Sequence, residues 1–161
     1  MRKALEIVSL FALAALLAVT VSAFYGPARL PDRIPTHFNA AGRANAWGSP
    51  YMLLVIPLIA ATVYVLMTLV SRYPTAFNYP VRVTPQNQQR LEDLALGMTV
   101  WLKTEVVSFL AWMQWNVIRL AHHPGPGLSP YLMPLLLVAV FATILFHLSF
   151  MLRAGRRLSQ R

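Results

Sequence analysis

GMTVWLKTEVVSFLAWMQWNVIRL, residues 97–120, decides how many times this chain crosses a bilayer. A helix needs about 20 apolar residues to cross a hydrocarbon core about 30 Å thick, and the uncharged part of this stretch, residues 106–118, is shorter. Lys103 lies about two turns from one end, where its long stem can reach the interface. Three amphipathic aromatics suit interface depth, namely Trp101, Trp112 and Trp115. The stretch is therefore predicted to span the membrane despite Lys103 and Glu105.

Three further apolar runs surround this stretch, at residues 4–24, 51–70 and 130–152. Each has the length that a membrane helix needs, and their only ionisable side chains besides tyrosine are Glu6 and His147. Of the whole chain, 57% is hydrophobic and only 12% is charged, against about 25% charged in typical soluble domains. The sequence thus predicts an all-α integral membrane four-helix bundle forming a single transmembrane domain, residues 1–161.

The first run also has features of a signal peptide. Arg2 and Lys3 form a basic start, and Val21-Ser22-Ala23 loosely resembles a cleavage site. Its apolar region is longer than the usual 7–15 residues of such peptides. A retained membrane span is the favoured interpretation, with a cleaved signal as the alternative.

The distribution of cations predicts the orientation, because loops rich in Lys and Arg stay in the cytoplasm. With four spans, the N-terminus, the loop at residues 71–96 and the C-terminal tail share one side. That side carries nine cations: Arg2, Lys3, Arg72, Arg82, Arg90, Arg153, Arg156, Arg157 and Arg161. The opposite side carries four: Arg29, Arg33, Arg43 and Arg119. Both termini are therefore placed in the cytoplasm and the chain in the cell (inner) membrane. Cations at the ends of apolar runs also argue against a nucleic-acid partner in spite of the net charge of +9.

The outer loop, residues 25–49, reads YGPARLPDRIPTHFNAAGRANAWGS. Each proline biases its preceding residue to extended geometry, so residues 29–35 are expected to be extended. Asn39-Ala40-Ala41-Gly42 is typical of a turn, with Gly42 supplying a positive φ. The sequence therefore predicts a structured extracytoplasmic loop between the first and second helices.

This loop resembles a known signature. Leu30-Pro31, then Ile34-Pro35-Thr36-His37-Phe38-Asn39, Gly42 and Trp47-Gly48 look like an uncharacterised bacterial membrane-protein family, whose domain also forms the N-terminal part of SdpI-type immunity proteins. A second matching stretch is Phe77-Asn78-Tyr79-Pro80-Val81, followed by Thr84 and Asn87. The resemblance covers about the first ninety residues, and it implies a role in protection from a secreted toxin peptide.

Two interpretations of the loop remain open. It can fold back as a cap, with Phe38 and Trp47 packed at the interface and Asp32 paired with Arg33 or Arg119. Alternatively, Asp32, His37, Asn39 and Trp47 line a shallow site for an extracytoplasmic ligand such as a peptide.

The cytoplasmic loop contains a helix start, with Thr84 at the N-cap and Pro85 at the first helical position. Leu91, Leu94 and Met98 recur at helical spacing, so an interfacial amphipathic helix is expected to run into the third span. Buried ionisable groups cost less when paired. From their depths, we predict that Glu6 pairs with Lys103 and Glu105 with His147 as structural ties. The alternative to a structural tie is that Glu105 and His147 form a proton relay for transport.

Catalytic and metal motifs are absent from the sequence. There is no phosphate loop, nucleophile elbow or paired catalytic carboxylate, and there are no cysteines. A metal site from His37, Asp32 and one of His122 and His123 is geometrically possible, but no ligand spacing supports it. We therefore expect no enzyme, no cofactor and no metal. The bilayer is the expected partner, with an extracytoplasmic peptide bound by a receptor or immunity component; an accessory subunit docked on a membrane-protein partner, or a small transporter, is the alternative.

Overall fold

The computed structural model describes residues 1–156 of the chain. Its long helices are α1 (Arg2–Tyr25), α2 (Val55–Val70, preceded by a 3-10 turn at Pro50–Leu54), α3 (Gln88–His122) and α4 (Leu132–Arg156). All four are long and apolar enough to cross a membrane. The predicted multi-pass architecture is thus found within the described residues, while the predicted tail cations Arg157 and Arg161 lie outside them.

α3 is the centre of the bundle. It packs against α1, α2 and α4, and α1 and α2 also pack against each other. Within residues 1–156, α4 makes no comparable contact with α1 or α2. The bundle is therefore a three-helix core with a fourth helix laid on one side of α3.

The loop between α1 and α2 folds as a β-hairpin, a pair of strands that the predicted all-α bundle with a structured loop did not include. β1 (Ile34–Phe38) pairs antiparallel with β2 (Ala44–Gly48), with Ile34 opposite Gly48 and irregular register beyond Pro35. Both strands are edges, so Pro35 can lie in one without leaving an interior ladder bond unmade. Extended backbone was predicted only as far as Pro35, whereas the strand continues to Phe38.

The turn of the hairpin is built by Asn39 and Gly42. The Asn39 side-chain Oδ1 accepts hydrogen bonds from the backbone N–H groups of Ala41 and Arg43, both at 3.0 Å. Gly42 has the predicted positive φ, 76°. This Asx-type turn joins β1 to β2 and places Gly42 beside the loop between α3 and α4.

The hairpin lies on the helix ends through β1. Ile34 is only 1% exposed and joins a buried cluster with Ala23, Leu53, Val117 and Ile118. This cluster draws on α1, the 3-10 turn and α3, so the hairpin position is fixed by the three-helix core.

At the opposite end, the loop between α2 and α3 packs under the bundle. Its Phe77, Tyr79 and Val81 contact a buried cluster that includes Leu91 of α3 and Met151 of α4. The predicted helix start at Thr84 and Pro85 is wrong, because α3 begins at Gln88. The Asn87 side chain instead accepts from the Thr84 N–H at 2.8 Å and donates to the Arg82 carbonyl at 3.0 Å, which holds this segment in a turn.

α3 runs for 35 residues without a break, which is a length of about 50 Å. That exceeds a hydrocarbon core of about 30 Å. The predicted interfacial helix is therefore the first part of α3 itself, extending beyond the core towards the packed loop.

Candidate functional site

A cavity of about 550 Å³ lies beneath the hairpin. Its walls come from the beginning of α2, the second half of α3 and the beginning of α4, and β1 with the turn forms its roof. The lining is mostly apolar, as in ligand pockets generally, and the side chains that carry the walls are Met52, Val55, Ile56, Phe109, Trp112, Met113, Val117, Leu132 and Met133.

The α3 wall of the cavity combines two aromatic rings with a flexible methionine side chain. The rings of Phe109 and Trp112 stack with centroids 6.3 Å apart, and Met113 lies beside them. A flat aromatic surface beside an unbranched thioether adapts to apolar ligands of various shapes. This wall offers contact area and no reactive group.

The hairpin turn at the roof contacts the loop between α3 and α4, and this contact depends on two glycines. The Leu128 N–H donates to the Gly42 carbonyl at 2.8 Å, and Gly127 has a φ of 99°. A Cβ on Gly42 would collide with the Leu128 carbonyl, and one on Gly127 with the Gly42 carbonyl. We call this contact between Gly42, Gly127 and Leu128 the glycine clasp; only residues without side chains permit so close a backbone approach.

The structure divides the four predicted ligand residues between two places. His37 and Asn39 line the cavity. Trp47 lies instead in a neighbouring cleft of about 620 Å³, between the hairpin and the loop that follows α3. Asp32 is exposed and lines neither.

The polar atoms of these residues are used mainly within the hairpin. His37 Nδ1 lies 2.6 Å from Asn45 Oδ1 across the strands, and the Asn39 Oδ1 is occupied by the turn. The predicted pairing of Asp32 with Arg33 or Arg119 is wrong, since neither arginine contacts it. Arg33 donates to the Trp47 carbonyl at 3.0 Å, and Arg119 to Asn116 Oδ1 at 3.2 Å.

The structure brings Glu6 and Lys103 together inside the three-helix core. Lys103 Nζ lies 2.6 Å from Glu6 Oε2 and donates to Thr68 Oγ1 at 3.0 Å. It also lies 4.7 Å from the centre of the Tyr64 ring. Lys103 is 1% exposed, so a buried cation is surrounded by a carboxylate, a hydroxyl and an aromatic face from α1 and α2.

Sequence reasoning missed the role of Gln114, about three turns along α3 from Lys103. Its Nε2 donates to Thr20 Oγ1 at 2.9 Å and to the Leu53 carbonyl at 3.0 Å. The residue four positions after Leu53 is Pro57, which has no N–H to give that carbonyl. Gln114 supplies the missing donor from another helix, and a proline opposite a buried glutamine was the available signal.

Glu105 and His147 do not contact each other, so the predicted direct pair is not formed. Thr143 lies between them: its hydroxyl donates to Glu105 Oε1, and its carbonyl accepts from His147 Nδ1 at 2.8 Å. The ring of His147 extends instead towards Gly97, about two turns away from Glu105 along α3. Glu105 Oε2 is buried without a hydrogen-bond partner among the described residues.

The second stretch of the signature, around Tyr79, lies at the end of the bundle opposite the cavity. The Tyr79 hydroxyl donates to the Pro74 carbonyl at 2.7 Å. Burial raises the pKa of Tyr79 above its ordinary value, and the negative charge of Glu92 adds to the shift. A neutral phenol held by a backbone carbonyl is a structural anchor for the loop.

Metal-ligand geometry is not found in the part of the chain that the structure describes. No three His, Asp or Glu side chains among residues 1–156 lie close enough together to hold an ion.

Comparison with known proteins gives a partial match. Residues 10–61 match the family described as a domain of unknown function, DUF1648, and this range contains most of α1, the hairpin and the first turns of α2. An uncharacterized protein of Archaeoglobus fulgidus is 37% identical over 60 residues, which is 32% of this chain and 33% of the archaeal protein. The aligned part thus spans a third of that relative. No solved structure matches the chain.

Proposed function

We propose that this protein is a non-catalytic receptor or immunity component of SdpI-like type in the cell membrane. The hairpin faces the extracytoplasmic side, both termini lie in the cytoplasm, and the cavity takes an apolar segment of an extracytoplasmic peptide. One observation carries the proposal: the signature residues at positions 34–39 form the roof of a large apolar cavity.

The chemistry of the lining supports binding over catalysis. The walls are aliphatic, thioether and aromatic side chains, and the polar groups stand at the roof. A ligand in such a site gains affinity because its apolar surface is removed from water, and a few polar groups at the rim fix its orientation. A hydrophobic peptide segment under a polar hairpin fits that arrangement.

The test is photo-crosslinking from inside the cavity. A benzophenone-bearing residue replaces Met113 on the α3 wall, with a matched variant at Leu137, which is exposed on α4. Cells carrying each variant are exposed to peptides secreted into the culture medium, irradiated, and the adducts identified by mass spectrometry. We expect a peptide adduct at position 113 and none at position 137; a failure to crosslink any peptide at position 113 would contradict the proposal.

A second candidate function is an accessory subunit of a larger membrane complex. α4 favours it, because among residues 1–156 this helix packs extensively on α3 alone of the long helices and exposes large apolar side chains such as Leu137, Phe141 and Leu145. The same experiment separates the candidates. A crosslink from position 137 to one fixed membrane protein, with no peptide at position 113, would establish the subunit role instead.

A further inference from the structure

The cavity beneath the hairpin lies between the first turns of α2 and α4. α2 and α4 both pack on α3, and within the described residues they make no substantial contact with each other. Met52, Val55 and Ile56 line one side of the resulting gap, and Leu132 and Met133 line the other. Both helices are long and apolar enough to cross a membrane, so in a bilayer a gap between them faces hydrocarbon.

The same cavity is covered towards the water. β1 lies across its top with Ile34 almost completely buried. The glycine clasp then ties the turn to the α3–α4 loop through the bond from Leu128 to Gly42. A ligand therefore meets a fastened roof from the aqueous side and an open gap from the lipid side.

The depth of the cavity corresponds to one leaflet. The α3 residues that line it run from Val117 down to Phe109, a distance of about 12 Å along the helix. Half of a hydrocarbon core of about 30 Å is about 15 Å. The depth of the cavity below the hairpin is therefore slightly less than the thickness of one leaflet. An acyl chain of the leaflet on the hairpin side extends over a similar depth.

The charge at this end favours an anionic headgroup. The exposed arginines at this end of the bundle are Arg29, Arg33, Arg43 and Arg119; none lines the cavity, and Arg33 and Arg43 line the neighbouring cleft. The only acidic side chain between α1 and α2 is Asp32. Thr36, His37 and Ser129 add polar groups to the rim of the cavity. Exposed cations near a membrane surface attract anionic lipid.

We propose that the cavity is a lipid site. One acyl chain of an anionic phospholipid, from the leaflet on the hairpin side, passes between α2 and α4 and lies along Phe109, Trp112 and Met113. Its headgroup stays at the level of the hairpin. This site goes beyond the peptide receptor proposed above and needs no peptide; a peptide that used the cavity would displace the lipid chain.

The experiment uses Trp112 as a reporter of the chain. Trp47, Trp101 and Trp115 are replaced by Phe, which leaves Trp112 as the single tryptophan. The full chain is reconstituted into vesicles of phosphatidylcholine containing a minor fraction of phosphatidylglycerol brominated in mid-chain. Bromine quenches tryptophan fluorescence only at short range, so strong quenching of Trp112 reports a chain inside the cavity. A second series carries the bromine on phosphatidylcholine instead.

Two matched variants separate the cavity from lipid that merely surrounds the protein. Ile56→Phe adds volume inside the cavity, while Ile59→Phe makes the same change on the exposed face of α2 about one turn away. We expect loss of quenching in Ile56→Phe and unchanged quenching in Ile59→Phe, with equal thermal unfolding of both proteins. We also expect stronger quenching from the brominated phosphatidylglycerol than from the brominated phosphatidylcholine at equal content.

Other outcomes would overturn the proposal. Equal quenching in Ile56→Phe and Ile59→Phe would mean that Trp112 reports only surrounding lipid. Equal quenching by the two headgroups would remove the role of the arginines. Since no peptide is present in these vesicles, a negative result here leaves the crosslinking test of the receptor unaffected, and the two proposals fail separately.

Discussion

The two faces of α3 are held in different ways. Towards α1 and α2, Lys103 and Gln114 are buried and bonded to partners on both neighbouring helices. Towards α4, the polar contact is a chain through Thr143, and the upper part of the interface opens into the cavity. Inter-helix hydrogen bonds and close van der Waals packing hold a membrane bundle together, because burial of apolar side chains gives no hydrophobic driving force in lipid. The comparison teaches that the buried polar ties lie on one side of α3, which we call the rigid side, and that room for a ligand lies on the other.

The largest effect is expected from Lys103→Met, which would break the rigid side. It leaves the Glu6 carboxylate without its partner, and removing one member of a buried pair costs about 3 kcal/mol, the lower end of the usual range because Glu6 is partly exposed. Unfolding in mixed micelles of increasing SDS content measures the loss. The double variant Glu6→Gln/Lys103→Met should lose less stability than Lys103→Met; simple additivity of the two single effects would show that the pair is not coupled.

The next effect, Gly42→Ala, acts on the α4 side, where the glycine clasp ties the hairpin turn to the loop between α3 and α4. A non-glycine residue at this positive φ costs about 1–2 kcal/mol, and its Cβ meets the Leu128 carbonyl. We expect faster hydrogen exchange at the Leu128 amide with little change in global unfolding. Gly125→Ala is the control, because a Cβ there would make only ordinary contacts, the nearest at 3.8 Å. Unchanged exchange in Gly42→Ala would refute the role of the clasp.

A smaller loss of stability is expected when the hydrogen bonds of Gln114 towards α1 and α2 are removed. Gln114→Leu removes two hydrogen bonds and leaves the Leu53 carbonyl unpaired, at an expected cost of about 1–2 kcal/mol. Pro57→Ala restores a backbone N–H four residues after Leu53. In the Pro57→Ala background, Gln114→Leu should therefore cost less, as measured by the same SDS titration. An identical cost in both backgrounds would show that the proline is irrelevant to this bond.

The smallest effect is expected from Thr143→Val on the α4 side. It removes the hydroxyl that bonds Glu105, and single inter-helix hydrogen bonds in membranes average about 0.6 kcal/mol. Thr62→Val is the control, because the Thr62 hydroxyl bonds only the Leu58 carbonyl of its own helix. A loss for Thr143→Val as large as that for Lys103→Met would erase the difference between the two faces.

The helices could be predicted from the sequence because length and apolar character alone define a membrane span. α1 begins at Arg2 and α3 at Gln88, so the boundaries shift by several residues where charged and polar turns continue the helix into the interface. The hairpin was only half predicted. Its turn has local signals in Asn39 and Gly42, whereas β2, at Ala44–Gly48, contains two alanines and an asparagine of low strand propensity and depends on its partner strand.

The two predicted polar pairs show which contacts follow from the depth of residues in the membrane and which do not. Glu6 and Lys103 lie at similar depth on helices that pack together, so their meeting follows from position along two spans. Glu105 and His147 also lie within a few turns of one surface, yet their contact depends on the rotation and axial offset of α4 on α3. No sequence period gives that offset, and Thr143 takes the position between them. The cavity arises from the same unpredicted placement of α4.

The contact between Lys103 and Glu6 also bears on how the chain enters the membrane. α3 is the least apolar of the four helices, and a lysine near its middle opposes transfer into lipid when it is unpaired. By the time α3 leaves the ribosome, α1 and α2 have already been made, and they carry Glu6 and Thr68, the groups that receive that lysine. The insertion of α3 should therefore depend on the helices that precede it, so that the order of synthesis is also the order of assembly.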